Sequence, residues 1–411
     1  MQNIKLRYGT ETETFAIPDG TDGYTVTDPA AMINPALFRQ RLFSFFETCS
    51  LKTPVAVVVA DKTRLCGYAD YLPVLLEVLE NTGASPADIT IYIAYGTHPR
   101  QSEETALSIY GSDYRRYRFV HHDCTDKGCF ADLGITSRGT PIMVRRDIVE
   151  AGFLITFGAV SHHYFAGFGG GRKLVFPGLG YRPAIYHNHG LFLNRESGVL
   201  DPGCLPGKMS GNPLAEDLAE VESFHPADLA IHGLLDSHGQ VCDLLVGSGQ
   251  NHFRTACETQ AAICEVKSNR QYELVLASCG GHPKDINFIQ SHKAVHHAAA
   301  FVQDGGELIL LARCPDGIGS QTFLPWFQMG GPAAAFARLA ENYSGNGGTA
   351  LSMMAKTARI RIRMVSELNE ETKRQIGVTG ITPADARKRV CHHRGSLAVI
   401  PNASLVVKKN P

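Results

Sequence analysis

The run Ser161-His162-His163-Tyr164-Phe165-Ala166-Gly167-Phe168-Gly169-Gly170-Gly171-Arg172-Lys173 sets two histidines, a string of small residues and a basic pair side by side. Glycines let a backbone approach a ligand and can form a nest of N–H groups for a phosphate. Histidine moves protons or binds metals, and a lysine beside the glycines can meet a phosphate or be modified covalently. The run fails the Walker pattern, because Arg172 separates Gly171 from Lys173 and Leu174 stands where a hydroxyl is needed. It fails the dinucleotide pattern too, since Gly167 and Gly169 lead to Arg172. A glycine-rich turn without a ligand is the plain alternative. Two other clusters have comparable chemistry: Asp61-Lys62-Thr63-Arg64 and Gly96-Thr97-His98. His98 and His163 each border a glycine-bearing turn, and two imidazoles can serve as paired proton-transfer groups. His187 and His189 sit two apart, a spacing that puts both on one side of an extended segment, where one of them could bind a metal. No H-E-x-x-H occurs, which disfavours a zincin-type protease. His121, His122, His392 and His393 have no catalytic context.

The elements that must position these residues are legible as apolar runs. VAVVVA runs into Asp61, ITIYIAYG into Thr97 and His98, and FLITFGAV into Ser161. A later run, ELVLASC, leads to Gly280-Gly281-His282-Pro283-Lys284-Asp285. In open α/β sheets ligands bind just beyond the carboxyl ends of strands, so four expected strands deliver polar residues to one kind of rim. Between the strands, DYLPVLLEVLENTG has helical spacing with a glycine placed to stop it. ADLAIHGLLDSHGQVCDLLVG reads as a strand pair turning through Asp236, His238 and Gly239. The alternation argues for α/β units with largely parallel sheets.

The chain has 411 residues, which points to two domains. The expected division is 1–268, 269–396 and a tail 397–411 that packs back on the body, with the break in the polar stretch EVKSNRQYE. A formal charge of -1 offers no electrostatic attraction to nucleic acid or a membrane surface. With no signal-like start and no long apolar span, the expectation is a soluble, cytoplasmic protein. The eleven cysteines are scattered without C-x-x-C and read as reduced packing residues. Trp326, the only tryptophan, reads as core.

These residues resemble the nickel-pincer-dependent lactate racemase family. The glycine run resembles its P-H-x-x-A-G-F-S-G-G-x-K motif, with Pro177-Gly178 following. Asp61, Thr63 and Arg64 match D-x-T-R, Gly96-Thr97-His98 matches G-T-H, and Gly280 through Lys293 matches G-G-x-P-x-D-x-N-x-x-Q-x-x-K. The resemblance implies two α/β domains with an active-site cleft between them. It implies a nickel pincer nucleotide (a pyridinium-3,5-bisthiocarboxylic acid mononucleotide nickel complex), supplied by cofactor-synthesis and nickel-insertion proteins. Carried over, Lys173 would hold the cofactor, in some relatives through a covalent bond. His189, sixteen residues further on, would be the protein ligand to nickel, with His187 the fallback. Asp61, Thr63, Gly169, Gly170 and Gly171 would hold the nucleotide. Arg64, Gln290 and Lys293 would orient the substrate, and His98 and His163 would be the paired acid/bases. The implied reaction is racemisation or epimerisation of a 2-hydroxy acid by reversible hydride transfer from Cα through a planar 2-keto acid.

Departures bear on the substrate. Lactate racemases have Tyr-Gln where this chain has Ile289-Gln290. Leu65-Cys66-Gly67 follows the arginine where proline is common, Gly169 replaces a serine, and His162 replaces a proline. Lactate itself is therefore not favoured, and His282, Lys284 and His292 would suit a larger or more polar acid. Two rivals remain at this level: a zinc hydrolase liganded by His98, His163 and His189, and a non-catalytic nucleotide- or phosphate-binding module.

Overall fold

A computed structural model describes residues 1–409. The chain divides into two compact units. One comprises Asp28–Phe192 and Pro202–Ile263; the other comprises Met1–Thr27, Leu193–Asp201 and the residues from Cys264 onward.

The first unit is built on a six-stranded sheet in the order Val241–Gly247, Leu229–Leu235, Phe153–Ala159, Val55–Ala60, Ile89–Ala94, Arg118–His121. All neighbours run parallel except the Leu229–Leu235/Val241–Gly247 pair, which is the expected hairpin. Every residue of Val55–Ala60 and of Phe153–Ala159 is buried, which is why both read as unbroken apolar runs rather than alternating ones. The chain leaves Val55–Ala60 toward Ile89–Ala94 on one side and later returns to Phe153–Ala159 on the other. Those two central strands therefore flank a switch point, and their carboxyl ends deliver Asp61 and Ser161–His163 to one crevice.

The second unit also has a six-stranded sheet, parallel throughout: Thr379–Gly380, Arg361–Val365, Val302–Leu311, Tyr272–Ser278, Leu397–Ile400, Asp22–Gly23. An antiparallel hairpin, Gln2–Tyr8 with Glu11–Ile17, packs its Leu6, Phe15 and Ile17 into the core made by Leu274, Leu276, Ile309, Leu311 and Val399. The expected partition 1–268/269–396/397–411 differs from these units at both ends. Residues 1–27 go with the later sheet because their apolar face and the Asp22–Gly23 strand are completed there. Leu397–Ile400 is an interior strand of that sheet, and Val407–Lys408 pairs with Glu265–Val266. Trp326 is buried beside Gly347, as a core residue. None of the eleven cysteines, all among the described residues, forms a disulfide. Among the described residues no helix is long and apolar enough to cross a membrane.

Candidate active site

A pocket of about 100 Å³ opens at the carboxyl ends of the central strands of the first unit. Asp61, Arg64, His98, His163, Lys173 and His189 all line it. They arrive from five separate segments: the stretches after three strands, the 3-10 turn Gly171–Leu174 and the last turn of the helix Arg182–Gly190.

Asp61 follows Val55–Ala60 directly and is almost fully buried. Its Oδ1 accepts from the Thr63 backbone N–H at 3.0 Å and from the Thr63 hydroxyl at 2.6 Å. Its Oδ2 lies 2.8 Å from His98 Nδ1, and Arg64 Nη1 donates to the Thr63 hydroxyl at 3.2 Å. Burial alone would raise the Asp61 carboxyl. The His98 hydrogen bond and charge, the Thr63 bond and Arg64 outweigh it and hold the carboxyl down at about 2. Asp61 is thus an ionised acceptor behind His98, a partnership the sequence did not disclose. With Nδ1 donating to the carboxylate, a neutral His98 presents an unprotonated Nε2.

His163 is held differently. It ends the short strand Ser161–His163, which pairs with Gly167–Gly169, and its Nδ1 accepts backbone N–H bonds from Ala166 at 3.1 Å and Phe165 at 3.3 Å. Those donors fix the proton of a neutral His163 ring on Nε2. The two histidines therefore present opposite protonation faces.

Lys173 sits in the 3-10 turn Gly171–Leu174, its N–H bonded to the Gly170 carbonyl at 3.0 Å. Burial, then the Arg64 and Arg172 charges, hold its ammonium well below the ordinary lysine range, which favours a neutral, nucleophilic amine. Gly170 lines the pocket, whereas Gly169 and Gly171 do not. The glycines are dictated largely by packing. Gly170 has φ +84° and any Cβ there would overlap the Ala159 carbonyl; Gly171 has φ +50° and its Cβ would meet Phe253 at 2.6 Å.

His187 and His189 lie on the helix Arg182–Gly190, not on an extended segment. Pro183 is preset for the first helical turn, and two positions along a helix turn about 200°, so the pair diverges. His189 faces the pocket; His187 is exposed and its Nδ1 lies 3.0 Å from the Thr140 hydroxyl. The helix is anchored by Asp217, fully buried, which accepts from Asn188 at 2.7 Å, Thr136 at 2.6 Å and Thr140 at 2.8 Å. Burial, then the Lys173 charge, push the His189 ring down to about 3, so it is a neutral nitrogen donor at neutral pH.

Gln290 and Lys293 belong to the other unit, on the helix Phe288–Ala299, where Lys293 Nζ donates to Gln290 Oε1 at 2.9 Å. His292 lies on that helix and is only 1% exposed.

The nickel pincer nucleotide that the resemblance implies would call for a protein nitrogen and an anchoring amine, and one pocket is lined by His189, its imidazole neutral, and by Lys173, its ammonium disfavoured by burial. Among the described residues no group of three His, Cys, Asp or Glu side chains is placed to hold a metal ion.

Residues 9–200 match the lactate racemase N-terminal domain, and residues 267–367 match the lactate racemase C-terminal domain. The chain belongs to the lactate racemase family, whose named activity is an isomerisation. It is 28% identical over 346 residues to a lactate racemase of Thermoanaerobacterium thermosaccharolyticum, covering 80% of this chain and 78% of that one. It is 27% identical over 274 residues to a lactate racemase of Lactiplantibacillus plantarum, covering 66% of this chain and 63% of that one. In fold it is similar to the lactate racemase apoprotein structure from T. thermosaccharolyticum, with a TM-score of 0.87, 23% identity and full coverage of both chains. A Thermotoga maritima protein structure aligns with a TM-score of 0.70 and 16% identity over 94% of this chain and 100% of that one.

Proposed function

We propose that this protein is a racemase or epimerase of a small 2-hydroxy acid other than lactate, working with a nickel pincer nucleotide. The observation that carries the reading is one pocket lined by an Asp-backed histidine, a second histidine, a lysine whose ammonium burial disfavours and a neutral imidazole. Lys173 would anchor the cofactor and His189 would donate a nitrogen to its metal. When bound, the cofactor supplies a hydride acceptor for the substrate's Cα–H, which is too weakly acidic beside a carboxylate for simple deprotonation.

The chain's own residues do the proton work. His98, with Asp61 accepting its Nδ1 proton, takes the substrate's hydroxyl proton on Nε2 and becomes an imidazolium stabilised by that carboxylate. His163 would serve the opposite enantiomer: its neutral ring carries the proton on Nε2, so Nδ1 must release both its Ala166 and Phe165 bonds before it can take the substrate's hydroxyl proton. Arg64, in the pocket lining, would supply a fixed cation for the substrate's carboxylate. Asp61 and Thr63 act as positioning residues for His98 rather than as contacts to the nucleotide. Ile289 in place of tyrosine removes a hydroxyl from the substrate-facing motif, which is why lactate is disfavoured.

The test is a panel of enantiopure 2-hydroxy acids, each deuterated at Cα, incubated in ordinary water with the loaded protein. Inverted product that keeps its deuterium is expected. Washout of the label into solvent would exclude hydride transfer, and no inversion of any member by fully loaded protein would exclude the racemase reading.

A further inference from the structure

A second cavity in the same unit, of about 20 Å³, is walled by Arg172, Glu222, His225, His232, Thr156 and Phe176. Four buried polar atoms around it have no protein hydrogen-bond partner among the described residues: Arg172 Nε, Glu222 Oε2 and both ring nitrogens of His232. Arg172 is 7% exposed and His232 only 1%. Buried polar atoms are almost always paired, and four convergent exceptions demand an explanation. The space is sufficient for one water, which needs roughly 10–15 Å³ measured this way.

The balance of donors and acceptors identifies the occupant. Arg172 Nε–H donates and Glu222 Oε2 accepts. Burial, then the neighbouring His252, hold His232 down at about 3, so its ring is neutral and contributes one donor and one acceptor. A cation would be repelled by Arg172 and an anion by Glu222. A water can accept from Arg172, donate to Glu222 and pair with one of the two ring nitrogens of His232.

We propose that a single ordered water bridges Arg172, Glu222 and His232 and braces the glycine loop from behind, making Arg172 a positioning residue for Lys173. The rest of Arg172 already ties the loop to its surroundings. Nη2 donates to the Ala215 carbonyl at 2.9 Å, the guanidinium stacks 5.2 Å from the Phe253 ring centre, and Gly171 leaves no room for a side chain against Phe253 and His232. The bridge would complete a three-sided clamp joining the loop to the Pro213–Phe224 helix and the Leu229–Leu235 strand. The positioning clause rests on the proposed role of Lys173; the water site does not.

The test uses cofactor-free full-length protein. A high-resolution crystal structure should show density for one water within hydrogen-bond distance of Arg172 Nε and Glu222 Oε2. Direct Arg172–Glu222 contact, or no density there, overturns the proposal. Hydrogen–deuterium exchange over residues 170–176 should quicken about tenfold in Glu222→Leu, the order of one lost charge-assisted bond, and stay near the parent rate in Glu222→Gln. Equal rates in both variants would also overturn it. Should Glu222→Leu fail to fold, the crystallographic water in the parent decides. A confirmed brace in a protein that never takes up a pincer nucleotide would sink the Lys173 reading alone.

Discussion

Asp61→Asn is the most informative single change, because it keeps the shape of the side chain and removes only the charge behind His98. The Asp61 carboxyl is held at about 2 against an ordinary 3.8, with burial opposing and the His98 bond, Thr63 and Arg64 prevailing. At about 1.36 kcal/mol per unit this is worth roughly 2 kcal/mol of folding stability. Because the His98 side chain is 45% exposed, solvent screening trims the figure to about 1–2 kcal/mol. The sign follows from a depressed acid: the contribution is fully present above about pH 4 and is lost as pH falls through about 2. The catalytic effect is separate. A charge-assisted bond to a developing imidazolium contributes about 1.5–3 kcal/mol, so kcat should fall roughly 10- to 100-fold. The assay is circular dichroism of racemisation at saturating substrate, with nickel content measured on the same samples. Full nickel loading, little change in KM and a reduced kcat are expected. A kcat near the parent value would refute the dyad. Loss of the cofactor instead would return Asp61 to the nucleotide-holding role that the family motif implies.

The remaining predictions concern the same pocket. Lys173→Ala should release the cofactor on desalting while keeping its fold by circular dichroism; retained cofactor would refute the anchor. His189→Ala should lose nickel without unfolding, whereas His187→Ala, which alters only an exposed ring bonded to Thr140, should keep it. Gly170→Ala combines a left-handed backbone with overlap at the Ala159 carbonyl, and should destabilise the first unit by about 3 kcal/mol in urea denaturation. His98 and His163 differ in tautomer, so kcat should differ between the two directions, while on an enantiomer pair kcat/KM stays equal, as the equilibrium constant of one between enantiomers requires. Identical kcat and pH profiles in both directions would contradict that asymmetry.

The strand framework was legible because buried parallel strands are long apolar runs that end abruptly in polar residues. Asp61, His98 and His163 could therefore be placed at strand ends, on one rim, from the order of residues alone. What escaped was anything that depends on side-chain direction. The spacing of His187 and His189 fits an extended segment, but Pro183 opens a helix that sends them apart. The Asp61–His98 bond joins residues 37 positions apart, and only its local half, the Asp61–Thr63 turn, leaves a trace in the D-x-T pattern. The glycines of the loop were read as room for a ligand, whereas Gly170 and Gly171 are required by Ala159, Phe253 and His232 on the protein side. Nothing in residues 1–27 reveals which sheet they join, because the one that buries Leu6 and Phe15 begins some 250 positions later.

The central claim is tested most directly by measuring nickel and intact mass after co-expression with the pincer-synthesis proteins. About one nickel per chain, with an added mass or a releasable pincer nucleotide, is the predicted result. An unmodified mass without nickel, under conditions that load a control racemase, would contradict it.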